Sequence, residues 1–166
     1  MIVGSIHVFT FKEGVLSAVA HDLRFRFERF LVTLDGSDLR AEFDLRSLRL
    51  DGPVEHGVVR PDAFDDGRRA DVENAMHRDV LRTPEHPTAH FVGRAVRRDE
   101  GYDVTGELDL AGRRAPLSFS ARSADGAFAA HVELVPSRWG IAPYKALLGA
   151  IRLKDRVRVD LALRES

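Results

Sequence analysis

The histidines are the first place to look for chemistry, because the chain carries seven of them and no cysteine. His86 and His90 stand four apart, a spacing that shares a face on a helix and on a strand. With His77 they would make a three-histidine set of the kind that holds a catalytic zinc and leaves a fourth position open. Pro87 lies between the pair, however, and no carboxylate falls at a matching helical spacing, so surface or capping histidines are expected instead of ligands. His21-Asp22 is a dipeptide that helical phosphohydrolases use to bind a metal through adjacent side chains, but the residues after it alternate as a strand does. That leaves His21 as a histidine at the mouth of a barrel, hydrogen-bonded to backbone or a carboxylate. No serine sits in a Gly-x-Ser-x-Gly turn and no phosphate-cradling glycine loop occurs. The carboxylates are dispersed among arginines, the pattern of a solvated face with weak ion pairs. Catalysis has no positive support, and no catalytic group, metal or cofactor is expected.

Composition closes further classes. The 25 basic and 26 acidic residues give a net charge of −1, so no overall field draws nucleic acid or an anionic membrane. Only Lys12, Lys145 and Lys154 among the basic residues are lysines; the rest are arginines. Phe25, Phe27 and Phe30 lie among Arg24, Arg26 and Arg29 and could stack bases in a charged groove. Glu28 dilutes that patch and the rings are expected in the core, so a nucleic-acid partner is not. Without cysteine there is no disulfide, which fits a reducing compartment. The stretch from Met1 to His7 has no basic region followed by an apolar one, and no apolar run approaches the roughly 20 residues of a membrane span. The expectation is a cytoplasmic protein with no integral membrane segment. At 166 residues it is read as one domain, 1–166, able to bury roughly 70% of its unfolded surface.

What the sequence does supply is strands. Leu108 and Leu110 alternate with Glu107 and Asp109, Leu117 and Phe119 with Ser118 and Ser120, and Phe128, Ala130, Val132 and Leu134 with Ala129, His131 and Glu133. A two-residue period puts one row of side chains on each face of a sheet. Read this way the strands are Ile6 to Phe11, Leu23 towards Leu34 with a bend near Phe30, Leu39 to Leu45, Thr88 to Val96, Tyr102 to Leu110, Ala115 to Arg122, Phe128 to Val135 and Arg156 to Leu163. Asp35-Gly36, Glu100-Gly101, Gly112 and Asp125-Gly126 mark turns. The apolar stretch Val15 to Ala20 reads as a helical turn or a plug, and Ser47 to Asp66 as a long connection, since Gly52-Pro53 and Pro61 interrupt a ladder. Val72, Met76 and Val80, with Ala75 and Leu81, recur at helical spacing and predict one helix over 68–81, stopped at Thr83-Pro84. Trp139 to Gly149 reads as a loop with a short helix.

The predicted architecture is all-β with one helix: an eight-stranded antiparallel up-and-down barrel, lipocalin-like, with the helix between strands 3 and 4. Pairing the first strand with the last would remove both edges. Phe9, Phe11, Phe25, Phe27, Phe43, Phe91, Phe119, Phe128 and Trp139 then supply bulky apolar surface, most of it inward by parity. A barrel of about eight strands is near the boundary between filled and hollow, and parity is satisfied by either.

Four phrases in order favour the hollow alternative. Pro87-Thr-Ala-His-Phe91 after the helix, Tyr102 to Leu110 leading into Gly112-Arg-Arg-Ala-Pro-Leu117, Ser137-Arg-Trp-Gly-Ile141 and Leu153-Lys-Asp-Arg-Val-Arg-Val159 together resemble the YceI-like family of lipocalin-like barrels. In that family an Asp-Pro-x-His-Ser phrase usually stands near the N-terminus, where this chain has Lys12 to Asp22. The resemblance implies a barrel whose elongated apolar interior holds a polyisoprenoid chain, such as a quinone tail or a polyprenyl phosphate. It also implies no catalysis, no metal and a homodimer. Phe91, Leu108, Leu117, Arg138, Trp139 and Ile141 match its motifs, and Phe25, Phe27, Phe43 and Phe119 join them as expected ligand-binding residues. Arg138, His21 and His77 are the expected candidates for a polar group that selects a headgroup. A carrier or sequestering protein is thus expected, against an interaction module with a self-filled barrel and a metal enzyme using His77, His86 and His90.

Overall fold

The computed structural model describes residues 1–14 and 20–166; the expected turn or plug from Val15 lies outside the described residues as far as Val19. The chain forms β1 (Ile2–Glu13), β2 (Asp22–Phe27), β3 (Phe30–Asp35), β4 (Asp38–Asp44), β5 (Leu48–Glu55) and β6 (Val58–Val59), then the helix α1 (Asp66–Ala75). It returns to strands with β7 (Thr88–Arg98), β8 (Gly101–Leu110), β9 (Arg113–Ala124), β10 (Ala127–Leu134), β11 (Lys145–Ala146) and β12 (Ile151–Glu165). They build one curled antiparallel sheet in the order β3-β4-β7-β8-β9-β10-β12-β1-β2-β5-β6, with β11 alongside β12. First and last long strands pair as expected, from Ile2 opposite Glu165 to Glu13 opposite Arg152, but the expected closure is corrected: the hydrogen-bonded path runs open from β3 to β6, so two edges remain. The turns Gly36-Ser37, Asp99-Glu100, Ala111-Gly112 and Asp125-Gly126 each join neighbouring strands through two residues. Among the described residues no helix is long and apolar enough to cross a membrane.

The count of eight strands is corrected to twelve among the described residues, for two physical reasons. The expected strand from Leu23 to Leu34 breaks at Glu28-Arg29, because the chain there changes neighbours: β2 pairs with β1 and β5, β3 with β4. Ser47, fully buried, fixes the break, its hydroxyl accepting from the Arg29 amide at 3.0 Å and donating to the Asp44 carbonyl at 2.7 Å. The expected connection from Ser47 to Asp66 holds β5 and β6, so the helix follows β6, not a third strand. Gly52-Pro53 is accommodated by a bulge: Arg24 stands opposite Gly52 and Phe25 opposite Leu50, leaving Asp51 as the extra residue. A Cβ on Gly52 would lie 2.8 Å from the Arg60 carbonyl oxygen, so only glycine lets the two backbones meet there.

The helix repairs what the bulge leaves open. The Leu50 amide donates to Glu73 Oε1 at 2.9 Å, and Arg69 donates to the carbonyls of Leu50, of Asp51 at 3.2 Å and of Pro61 at 2.7 Å. Asp65 caps the helix N-terminus through the Arg68 amide at 2.7 Å. The α-helical turns end at Ala75 and the chain continues through Met76–Val80 in wider π geometry, matching the predicted span in position.

Asp44, at the corner between β4 and β5, is held by Arg46 and then by Arg29, which keep its carboxyl at about 2. Its unfolded value is near 3.9. The folded value is the lower one, so the contribution is complete above about pH 4 and is lost as the pH falls towards 2. Acid unfolding of Asp44→Asn, followed by circular dichroism, is expected to depend less steeply on pH across that window. Little should be lost at neutral pH, since the Arg29 and Arg46 side chains are 60% and 61% exposed.

Candidate functional site: an apolar internal cavity

The alternation read from the sequence builds a cavity of about 300 Å³ inside the curl. Leu108 of β8, Leu117 and Phe119 of β9, and Ala130 and Val132 of β10 all line it. On β12 the lining runs from Leu153 to Leu163, and ten residues of strand span roughly 33 Å, so the space is long and slender. Gly93 and Gly106 face one another across β7 and β8. A Cβ on Gly106 would stand 2.7 Å from Phe91 Cζ, so the paired glycines leave the room that the ring of Phe91 occupies. Phe91 in turn lies 6.3 Å from the ring of Phe119. Met76, Val80 and Leu81, on the helix and its continuation, cover one side.

The two ends differ. Near the chain termini, the rings of Tyr102 and Phe128 pack 5.9 Å apart. At the other end a 3-10 turn, Pro136–Trp139, folds the indole inward. Trp139 is 1% exposed and its N–H donates to the Leu108 carbonyl at 2.8 Å. Gly140 follows at φ 74°, a left-handed conformation that closes the turn and sends Ile141 into the same wall.

Nine of the ten residues singled out in the sequence line this one cavity: Phe25, Phe27, Phe43, Phe91, Leu108, Leu117, Phe119, Trp139 and Ile141. Arg138 does not. It donates to the Pro116 carbonyl at 3.2 Å, and its guanidinium lies 5.5 Å from the Trp139 ring centre. Phe9 and Phe11 also stand outside, under Arg158 at 4.4 Å and Arg156 at 4.5 Å, because β1 gives its inner face to Ile6, Val8 and Thr10.

The histidines are engaged elsewhere. His77 bonds Thr83 Oγ1 and the Leu48 carbonyl, both at 3.1 Å, tying the helix end to β5. His21 meets Phe64 edge-on at 5.4 Å, and burial, aided by Arg68, pushes its imidazole below the ordinary value. His86 packs against Gly112 and His90 bonds Thr88 at 3.2 Å. Among the described residues no three His, Asp or Glu side chains gather as a metal would need. Sequence reasoning missed four polar groups in the wall: Thr10, Tyr102, Tyr144 and Lys154. Thr10 was within reach, since it shares the parity of Ile6 and Val8; Lys154 was not, because it sits in a sheet irregularity.

A curled antiparallel sheet around a slender apolar space defines a class of β proteins with an apolar interior, which is the candidate site here. The YceI-like domain matches residues 6–164, and the chain belongs to that family. No curated protein matches it in sequence. Among solved structures, Burkholderia cenocepacia BcnA shares the fold with a TM-score of 0.66 at 15% identity, over 98% of this chain and 96% of that one. A polyisoprenoid binding domain from Saccharophagus degradans, implicated in plant cell wall breakdown, gives a TM-score of 0.57 at 14% identity, covering 96% of this chain and 91% of its own. A Campylobacter jejuni YCEI protein follows at 0.55 and 15% identity, over 86% and 84%.

Proposed function

We propose that this protein is a non-catalytic carrier or sequestering protein for a long apolar isoprenoid lipid, a quinone tail or a polyprenyl chain, held inside the cavity. The observation that carries the reading is the cavity itself: about 300 Å³, long, and walled by aliphatic and aromatic side chains. It is about twice the roughly 150 Å³ engineered void that already admits benzene. A wall this apolar offers water no hydrogen-bond partners along most of its length, which suits an apolar occupant. The likeness to a polyisoprenoid binding domain supports the same ligand class.

The energetics are adequate without hydrogen bonds. At ~0.8 kcal/mol per buried CH₂, one five-carbon unit contributes up to about 4 kcal/mol gross, so three units can offset the cost of ordering and give roughly micromolar affinity. Phe25, Phe27, Phe43, Phe91, Leu108, Leu117, Phe119, Trp139 and Ile141 are proposed as the contacts, with residues 1–166 acting as one unit. Saturation with geranylgeraniol at about 100 times Kd should raise the melting temperature by roughly 5–10 °C. Solvent extraction of protein from its native host should release a prenyl lipid detectable by mass spectrometry. No extracted lipid together with no thermal shift would sink the proposal. The cytoplasmic setting and the homodimer expected above belong to the same reading; cell fractionation and sedimentation at micromolar concentration test them.

A further inference from the structure

The cavity wall is apolar except near its ends, and the two ends are not alike. Tyr102, by the termini, already receives Arg97 Nη1 at its hydroxyl, 3.2 Å away. The opposite end holds Thr10, Tyr144 and Lys154. Thr10 Oγ1 is buried and has no hydrogen-bond partner among the described residues. Between Thr10 opposite Val157 and Lys12 opposite Leu153, β12 sets Lys154, Asp155 and Arg156 against Phe11 alone. Lys154 is exposed there and borders the rim of the cavity beside the inward Leu153. The Leu153 amide bonds the Tyr144 carbonyl at 3.0 Å, which fixes Tyr144 next to it.

The chain's remaining lysines come to the same place, Lys12 opposite Leu153 and Lys145 opposite Arg152. Among the described residues none of the three has a carboxylate within ion-pair distance, although sixteen such pairs form through arginine or histidine. The acids nearby are occupied: Glu13 with Arg152 at 3.2 Å, Asp22 with the Lys12 amide at 2.8 Å, and Asp155 with the Ser137 amide at 3.0 Å. We infer that this end is the mouth, and that Lys154, with Thr10 and Tyr144, selects a lipid with an acidic headgroup, a phosphate or a carboxylate. The apolar chain then runs inward towards Tyr102 and Phe128. This rests on the carrier reading and adds to it the residues that select the headgroup and the orientation of the chain.

Calorimetric titration at pH 7 with geranylgeraniol, geranylgeranyl monophosphate and a fatty acid of similar length separates the possibilities. A charge-assisted hydrogen bond to Lys154 should make an acid bind roughly tenfold more tightly than the alcohol. An advantage for the phosphate alone points to a phosphorylated prenyl lipid, and an advantage for both acids to a general acid site. Lys154→Met should bring the acids down to the level of the alcohol, and Thr10→Val should narrow the gap by about threefold. Equal affinities in the wild type, or an acid preference that survives Lys154→Met, would overturn the inference and leave the carrier reading standing. Failure of all three ligands to bind would overturn both.

Discussion

Replacing Ala130 by phenylalanine should weaken lipid binding by about two orders of magnitude while leaving the fold intact. Ala130 is 6% exposed, lies on the inner row of β10 between Phe128 and Val132, and stands opposite Leu161 of β12. A ring introduced there projects into the slender space and blocks passage of a chain. Denying one five-carbon unit removes up to about 4 kcal/mol of gross burial. Keeping two thirds of that as net loss weakens binding by about 100-fold. Because the ring enters a void, the urea midpoint should stay close to wild type or rise. In a self-filled interior the same ring overpacks, at a cost of about 1–3 kcal/mol, with no binding to lose. Titration with geranylgeraniol and urea denaturation of the one variant therefore separate the two readings. A destabilised protein that binds lipid as before would contradict the hollow interior.

How much of this was legible follows from how local each determinant is. Two-residue turns such as Asp125-Gly126 are set by their own residues, and the parity of β8, β9 and β10 follows from strict alternation; both are readable directly. The stretch Ile6 to Phe11 is apolar on both parities, at Ile6 and Val8 and again at Phe9 and Phe11. Which row turns inward is decided by β12, whose Arg156 and Arg158 cover the outer rings, and no pattern within β1 reports that. The break at Glu28-Arg29 depends on Ser47 and was equally remote. Arg138 was placed beside Trp139 by sequence, but in a 3-10 turn successive side chains point about 120° apart, so its neighbour's burial says nothing of its own. β5 was hidden by Gly52-Pro53, two residues that oppose a ladder unless a bulge and a helix supply the missing partners. At the polar end of the cavity Thr10 was readable from the parity of Ile6 and Val8, but Lys154 was not, since it has outward parity on its strand.

Trp139→Ala is expected to be the most damaging single change in the wall. The indole is 1% exposed and shares a cluster with Phe91, Ala95, Val104, Leu108 and Ile141. Truncation loses its transfer free energy and enlarges the cavity, together worth about 3–5 kcal/mol. It also removes the donor at 2.8 Å from the Leu108 carbonyl. That is a large share of the 5–15 kcal/mol that separates a typical domain from its unfolded state. Trp139→Phe restores much of the packing but not the hydrogen bond, so it should recover only part of the loss, leaving about 1–3 kcal/mol for the unsatisfied carbonyl. Urea midpoints for wild type, Phe and Ala should fall in that order, and a loss below about 1 kcal/mol for Ala would show that the indole is not part of the common core. The same variants test the cavity at the end opposite Tyr102 and Phe128. If lipid lies against the Trp139 wall, geranylgeraniol should fill some of the space that Ala opens, and its thermal shift should exceed the wild-type one. If lipid does not touch that wall, both shifts should match and the damage should be structural alone.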